Sequence, residues 1–410
     1  MAPVDPRRRY CANWREIAGS FGDLATFLPL AVGLITVNGM NPTSLFLSAG
    51  AMYIAAGLFF RLPIPVQPLK ATSAIAIAIG ASPGTISLVA FLMGCIFFLA
   101  SLFNLNGSFR KIFSRPIVRG VQLGLGILLV KGGMNALLAQ HPGDLSTAGV
   151  PPVLFGIVIG FFVAAIILFS KKDRVYPSVL AVLAFGLLLG GLLSSFQPLS
   201  AIRLGWVRPD WMFPTHGDLS VALFVLLLPQ VPLTFANSIA ATTDTARKYY
   251  GRDAFRVTHR NLAVSLGIGN LLSSLIGGMP VCHGSGGVTA HYLFGARTGR
   301  ANIYIGGVFI LSALLLGNSI SALAGMFPVS VLGALLIYIG IRHAALIRDV
   351  LECDHEFVIA VGIGSLTLIT GNLAIAFVAG ILSNLLLRKL LGIDLRGSPE
   401  EIGSRAPTNP

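Results

Sequence analysis

The sequence predicts an all-α polytopic membrane protein whose fourteen transmembrane segments form two inverted repeats of seven. Three observations carry that expectation: composition, the placement of charge between apolar runs, and a set of motifs that recurs in both halves. Of the 410 residues 54% are hydrophobic, only 11% are charged, and the mean hydropathy is +0.81. Soluble domains carry roughly 25% charged residues, so this chain lacks the polar surface a water-facing globule needs. A soluble enzyme, a disordered tail and a fibrous repeat are excluded at this step. The 47 glycines and 23 prolines point to tight turns, close helix packing and interrupted helices. The net charge of +13 comes from short basic clusters between apolar runs, the membrane-protein pattern rather than a nucleic-acid surface. Cys11, Cys95, Cys282 and Cys353 stand far apart, so neither a disulfide nor a zinc site is expected.

Breaking the chain at charges and Gly/Pro turns gives segments at 17–37, 43–60, 66–80, 84–104, 116–138, 151–170, 176–196, 219–243, 257–276, 283–296, 303–317, 328–341, 355–370 and 373–391. The first follows Arg7, Arg8, Arg9 and Arg15 and superficially resembles a signal peptide. It runs too long, contains Asp23 and has no small-residue cleavage site, so it reads as a span. The third and tenth are too short to cross a ~30 Å bilayer at ~1.5 Å per residue, and each follows an extended piece containing proline.

Charge tests the count. With the N-terminus inside, the 29 Lys and Arg fall at inner ends except Arg203 and Arg208 outside and Lys70 and Lys131 within spans. An error of one span would scramble that asymmetry, so both termini are expected on the cytoplasmic side. The resulting organisation is a cytoplasmic N-terminal segment 1–16, a first repeat 17–196, an extracytoplasmic loop 197–218, a second repeat 219–392 and a cytoplasmic tail 393–410.

The halves share one plan. GSFGDLATFLPL (19–30) precedes RLPIPVQPLKATSA (61–74), and LLLPQVPLTFANS (226–238) precedes GGMPVCHGSGGVTA (277–290). Aligning Pro65-Val66-Gln67 with Pro280-Val281-Cys282 puts the two short segments at equivalent positions. Seven spans per half is odd, so the halves insert with opposite orientation, and paired interrupted segments point to a binding site.

Each short segment reads as a helix starting near mid-membrane, exposing unpaired N–H groups and a partial positive charge. Two such ends facing each other make an anion site. Gln67, Lys70 and Thr72 supply donors on the first, and His283, Gly284, Ser285 and Gly286 lie at the start of the second. Glycines in apolar helices also serve close packing, so residues 284–287 fit packing and ligand approach equally. A lysine at this depth snorkels, pairs with a carboxylate or serves the substrate. Asp23 either pairs with Lys70 or titrates as a coupling site, and His283 is a site residue or a satisfied core histidine. His291 reads as structural. Gln230, Thr234 and Asn237 can line the same cavity from the eighth span, Asn237 also fitting an interhelical bond. Asp244 reads as an inner-end salt-bridge partner, and Arg297 and Arg300 as topology residues. No nucleophile–base pair, phosphate loop or metal-ligand cluster stands out, so no enzyme is expected, and GSGG (284–287) is too weak for a nucleotide fingerprint.

GDLATFLPL (22–30), PVQPLKATSAIA (65–76), LPQVPLTFANS (228–238) and MPVCHGSGGVTAHYLFGART (279–298) resemble the signatures of the molybdate transporter family, a branch of the sulfate permease superfamily. The resemblance runs from about residue 17 to 390. It implies the fold of uracil permease and the sulfate permeases, with spans 1–4 and 8–11 as a substrate-carrying core and spans 5–7 and 12–14 as a gate. It implies an oxyanion held between spans three and ten with span one contributing, which points to Gln67, Lys70, His283, Gly284, Ser285, Gly286, Asp23 and Thr26. Leu69 stands where the family commonly shows Met, a conservative change. The short tail after residue 392 carries the expectation that the STAS domain of typical sulfate permeases is absent, as in the molybdate branch.

The function so implied is secondary-active uptake of a tetrahedral oxyanion, molybdate first, with sulfate the closest rival. An anion channel and a nucleobase carrier on the same scaffold are the alternatives. Nucleobase sites typically use carboxylates on spans eight and ten, where this chain has only Asp244 at an inner end and none. No cofactor is expected; Asp23 or His283 could carry a coupling proton, and uniport is equally compatible. Expected partners are the oxyanion, membrane lipid and, in a homodimer, a second copy; nucleic acid is not among them. Short loops and the lack of a cleavable leader fit a bacterial inner membrane.

Overall fold

A computed structural model describes residues 14–103, 114–138, 152–170, 178–193, 203–209 and 219–391. The expected N-terminal segment, tail and most of the 197–218 loop lie outside the described residues. The helices are α1 (Trp14–Ser20), α2 (Leu24–Thr36), α3 (Pro42–Phe60), α4 (Lys70–Ile79), α5 (Pro83–Leu102), α6 (Arg115–Leu138), α7 (Pro152–Ser170), α8 (Ser178–Leu193), α9 (Val221–Arg256), α10 (His259–Leu275), α11 (Ser285–Leu293), α12 (Arg300–Gly325), α13 (Val329–Ala344), α14 (Asp354–Thr370) and α15 (Leu373–Leu391). Strands β1 (Gln67–Pro68) and β2 (Val281–Cys282) pair antiparallel just before α4 and α11.

Each of the fourteen apolar segments contains helix in its described part. Among the described residues six helices are long and apolar enough to cross a membrane, among them α3, α5 and α6. The first segment breaks at residues 21–23, where Asp23 caps α2. α4 and α11 have ten and nine residues, a rise of about 15 Å or less.

Several expected boundaries need correction. The third and tenth segments, expected from 66 and 283, begin as helix only at Lys70 and Ser285, because Gln67–Pro68 and Val281–Cys282 are strand. The eighth segment does not stop at 243: helix continues to Tyr250, followed by a 3₁₀ turn through Arg256. Thr242–Tyr250 is polar, but it contains no breaker until Gly251, which takes a positive φ of 56°. Pro229 and Pro232 do not break α9 either, because π-helical stretches at Val221–Leu227 and Thr234–Ala241 flank them. Wider π turns re-satisfy the groups that a proline frees. The eleventh segment runs past 317 to Gly325, and its Ser319 is matched there by the 203–209 segment: its hydroxyl donates to the Arg203 carbonyl at 2.9 Å.

The repeat is visible in the register. Gln67 stands opposite Cys282, and the 215 residues between them also carry the start of α4 at Lys70 to the start of α11 at Ser285. The same shift carries the end of α3 at Phe60 to the end of α10 at Leu275, and left-handed Gly80 to left-handed Gly295. An antiparallel pair whose central residues are each other's equivalents lies on a two-fold axis. Packing follows it. α3 lies along α12 and its counterpart α10 lies along α5, while α6 lies along its own counterpart α13. A second group of contacts joins α6, α7, α13, α14 and α15, and α4, α9 and α2 bridge the two groups.

Glycines let these helices approach closely: a Cβ on Gly340 of α13 would lie 2.7 Å from the Gly126 carbonyl oxygen of α6, and one on Gly306 of α12 would lie 2.7 Å from the Gly50 carbonyl of α3. Gly340→Leu therefore overpacks the α6–α13 crossing and should lower the stability of detergent-solubilised protein by about 1–3 kcal/mol in thermal unfolding. Gly362→Leu on α14, where no atom lies within 4 Å, should leave the midpoint unchanged.

Candidate functional site

The paired strands bring the starts of α4 and α11 together, and buried polar side chains hold them. Asn270 of α10 donates to the Val281 carbonyl at 2.8 Å and accepts from the Val281 N–H at 2.8 Å, a two-point clamp on β2. Asn302 of α12 donates to the Ile64 carbonyl at 2.6 Å, and the Leu69 N–H donates to the Pro280 carbonyl at 2.9 Å. Buried backbone groups need such partners wherever regular structure is interrupted. Neither Asn270 nor Asn302 stands out in the sequence; an amide inside an otherwise apolar segment was the available signal.

The two helix ends differ, contrary to the mirror symmetry expected of them. At α4 the side chain of Gln230 takes one of the free donors, its Oε1 accepting from the Thr72 N–H at 3.0 Å while its Nε2 donates to Thr234 Oγ1 at 2.9 Å. The Thr72 hydroxyl donates to the Leu226 carbonyl at 3.2 Å. Thr72, Gln230 and Thr234 thus tie α4 to α9 with their polar atoms engaged, and the structure does not bring them forward as ligands. Lys70, the first residue of α4, is half-buried. Among the described residues it makes no ion pair, unlike Arg115 with Glu356 and Arg119 with Asp349. Asp244 likewise makes no ion pair among the described residues.

At α11 no side chain caps the helix, and Gly284 leads into it in extended conformation. The three glycines there divide by role. A Cβ on Gly284 would lie 3.1 Å from Gln67 Cδ and closer still to Gln67 Oε1, and one on Gly287 would lie 2.7 Å from Gln67 Nε2. Both make room for the Gln67 amide. Gly286 is exposed, and a Cβ built there would meet nothing within 4 Å, so the space beside it is open. Beside it the Ser285 hydroxyl donates to Asn237 Oδ1 at 2.9 Å, which joins α11 to α9.

Asp23 is buried, and its Oδ1 accepts from Gln67 Nε2 at 2.6 Å. This bond replaces the direct Asp23–Lys70 pair considered from the sequence; Lys70 acts on the carboxylate only through space. The hydroxyls of Thr26 and Tyr53 also lie beside it. Tyr53 escaped the sequence reading, although a buried tyrosine in an apolar span is a recognisable signal. Asp23 Oδ2 and Gln67 Oε1 are buried without a hydrogen-bond partner among the described residues. Phe27, next to Thr26, packs on Phe309 at 4.5 Å between ring centroids, and Phe46 and Tyr53 close the same cluster.

His283 is held by the scaffold. Its Nδ1 bonds the Pro65 carbonyl at 2.8 Å, its Nε2 bonds Ser265 Oγ at 3.0 Å, and its ring packs edge-on to Phe60. With both nitrogens engaged and no exposed surface, it is a satisfied core histidine, and Gln67 opposes Cys282 rather than His283. His291 bonds the Gly19 carbonyl at 2.8 Å, consistent with a structural role. Gly284 is a packing residue, as above. Lys70, Gly286, Ser285 and Asn237 remain at the open ends, with the Asp23–Gln67 pair alongside.

These residues fall inside two stretches, 15–129 and 222–342, that match the family model described as "Molybdate transporter of MFS superfamily". The chain belongs to the molybdate transporter family. It is 28% identical to "Molybdate transporter 2" of Arabidopsis thaliana, over 91% of this chain and 87% of that protein. It is also 28% identical to "Molybdate transporter 1" of Chlamydomonas reinhardtii, over 82% of this chain and 84% of that protein. The chain also has the fold of the transmembrane domain of the cyanobacterial bicarbonate transporter BicA, with a TM-score of 0.62 at 17% identity over 90% of this chain and 96% of that one. The two matched stretches occupy corresponding parts of the two halves.

Proposed function

We propose that this protein is a secondary-active transporter that takes up a tetrahedral oxyanion, molybdate first, by alternating access. The observation that carries this reading is the uncapped start of α11, open beside the exposed Gly286, while Lys70, in no ion pair among the described residues, begins the paired helix α4. A helix N-terminus with free N–H groups suits an oxyanion, and Lys70 offsets its charge. Ser285 and Asn237 supply neutral polar groups for the oxygens. Family membership and the names of the relatives support oxyanion transport. Molybdate has longer metal–oxygen bonds than sulfate, so selection between them rests on the spacing of these donors.

In this reading the core contains spans 1–4 and 8–11 and the gate spans 5–7 and 12–14, in line with the two packing groups. The fourteen segments cross the membrane as inverted repeats, with α4 and α11 as half-helices. The basic residues put both termini on the cytoplasmic side. Competitive uptake into proteoliposomes tests the substrate: radiolabelled molybdate should be taken up saturably and resist excess sulfate, whereas equal competition would make the protein a general oxyanion carrier. Conductance without saturation would make it a channel.

Coupling falls to Asp23 rather than His283, whose nitrogens are both engaged. A proton on Asp23 Oδ2 turns a buried acceptor beside the site into a donor and removes a negative charge from the dianion's surroundings. An inward proton gradient should then stimulate uptake, and Asp23→Asn, which keeps an oxygen for Gln67, should retain binding while losing that stimulation. Equal stimulation of Asp23→Asn and wild type would remove Asp23 from coupling.

A further inference from the structure

The second cation within the apolar segments, Lys131, has no part in the site described above. It lies on α6, and its side chain lines an open-sided cleft of about 180 Å³ between α6 and the C-terminal half of α4. Lys131 and Asn135, one turn apart, share the face of α6 that borders the cleft. Opposite, α4 lines the cleft with Ala74, Ile75, Ala78 and Ile79, and the helices are close enough that a Cβ on Gly132 would lie 2.9 Å from Ala78 Cβ. Among the described residues no acidic side chain lines the cleft and Lys131 makes no ion pair. Lys70, Ala74 and Ala78 follow at four-residue intervals on one face of α4, so the cleft and Lys70 lie about 12 Å apart along that face.

We propose that Lys131 and Asn135 form an encounter site for a small oxyanion, which captures the anion before it passes along α4 to Lys70. This rests on the oxyanion-transport reading above and extends it to a site on the approach. The charge pattern puts the cleft on the extracytoplasmic side, where incoming substrate arrives. A lysine that only snorkels sends its ammonium to the lipid headgroups; here the side chain borders a cleft beside an amide. The same ammonium and amide also suit a lipid phosphate, so the test separates free anion from lipid. A cation at a cleft mouth acts on capture more than on the later conformational step, so its loss raises KM more than it lowers the maximal rate.

The experiment is molybdate uptake by the full chain in proteoliposomes, with Lys131→Glu, Lys131→Gln, Lys131→Arg and Lys131→Cys beside wild type. Lys131→Glu should raise KM about 10-fold, Lys131→Gln about 3-fold and Lys131→Arg less than about 2-fold, with the maximal rate changing by less than about 2-fold throughout. External aminoethyl methanethiosulfonate should restore a low KM to Lys131→Cys, and the sulfonatoethyl reagent should raise it further; wild type controls for the native Cys95 and Cys353. A wild-type KM in Lys131→Glu, or equal effects of the two reagents, would overturn the encounter site while wild-type uptake still supports the transporter reading. Differences among variants that vanish in neutral phosphatidylcholine and appear only with phosphatidylglycerol would assign Lys131 to lipid and overturn it also. Wild type that transports neither molybdate nor sulfate would overturn the transporter reading, and the encounter site with it.

Discussion

Lys70→Ala is expected to abolish molybdate uptake and to weaken equilibrium binding by about 100-fold, or about 3 kcal/mol, the scale for removing one partner of a partly desolvated charge pair. Lys70 is the cation at the start of α4, and it makes no ion pair among the described residues. A dianion there loses its main charge complement when the ammonium is removed. The fold should survive, because the start of α4 is held independently by Gln230 on the Thr72 N–H and by the Leu69–Pro280 backbone bond. Calorimetry on purified protein, with circular dichroism to confirm folding, checks both parts. Unchanged affinity in folded Lys70→Ala would remove Lys70 from the site.

The second large effect belongs to Gly286. Gly286→Leu is expected to reduce uptake below detection while leaving thermal stability within about 1 kcal/mol of wild type. A side chain at this position meets no protein atom within 4 Å, and replacing a helical glycine costs no packing and removes backbone freedom from the unfolded chain. The new side chain instead fills the approach to the uncapped α11 end. Gly284→Ala, two residues earlier, should behave in the opposite sense. Its Cβ would press on the Gln67 amide and disturb the 2.6 Å bond to Asp23, destabilising the fold by about 1–3 kcal/mol. Thermal unfolding and uptake measured on both variants separate ligand approach from packing. Full uptake by Gly286→Leu would show that the anion does not enter there.

The contrast between these glycines shows where the sequence stops being legible. Pro65-Val66-Gln67 and Pro280-Val281-Cys282 could be aligned by motif, and its Gln67–Cys282 match is also a pair in the antiparallel ladder, where Val281 faces Pro68. The two short helices followed from the same pattern, although they start at Lys70 and Ser285 rather than at 66 and 283. The roles of Gly284, Gly286 and Gly287 did not, because they depend on where one amide, Gln67, comes to rest. His283 had the right residue type in the right motif, but the Pro65 carbonyl and Ser265 occupy its ring from other parts of the chain. Gln230 was expected in the cavity and caps α4 instead, a choice set by π-helical turns that leave no periodic signature in α9. Periodicity and charge report which elements exist and how deep they sit. The pairing of polar side chains between distant segments is a three-dimensional outcome.

The most direct test is to locate the anion. Crystals of the wild-type protein grown with molybdate, and diffraction collected at the molybdenum absorption edge, give an anomalous map in which the metal marks its own position. The expected result is one strong peak between Lys70 and the start of α11, within hydrogen-bonding reach of the Gly286 N–H through its oxygens. A strong peak elsewhere in the transmembrane region, with this space empty at saturating molybdate, would contradict the proposed site.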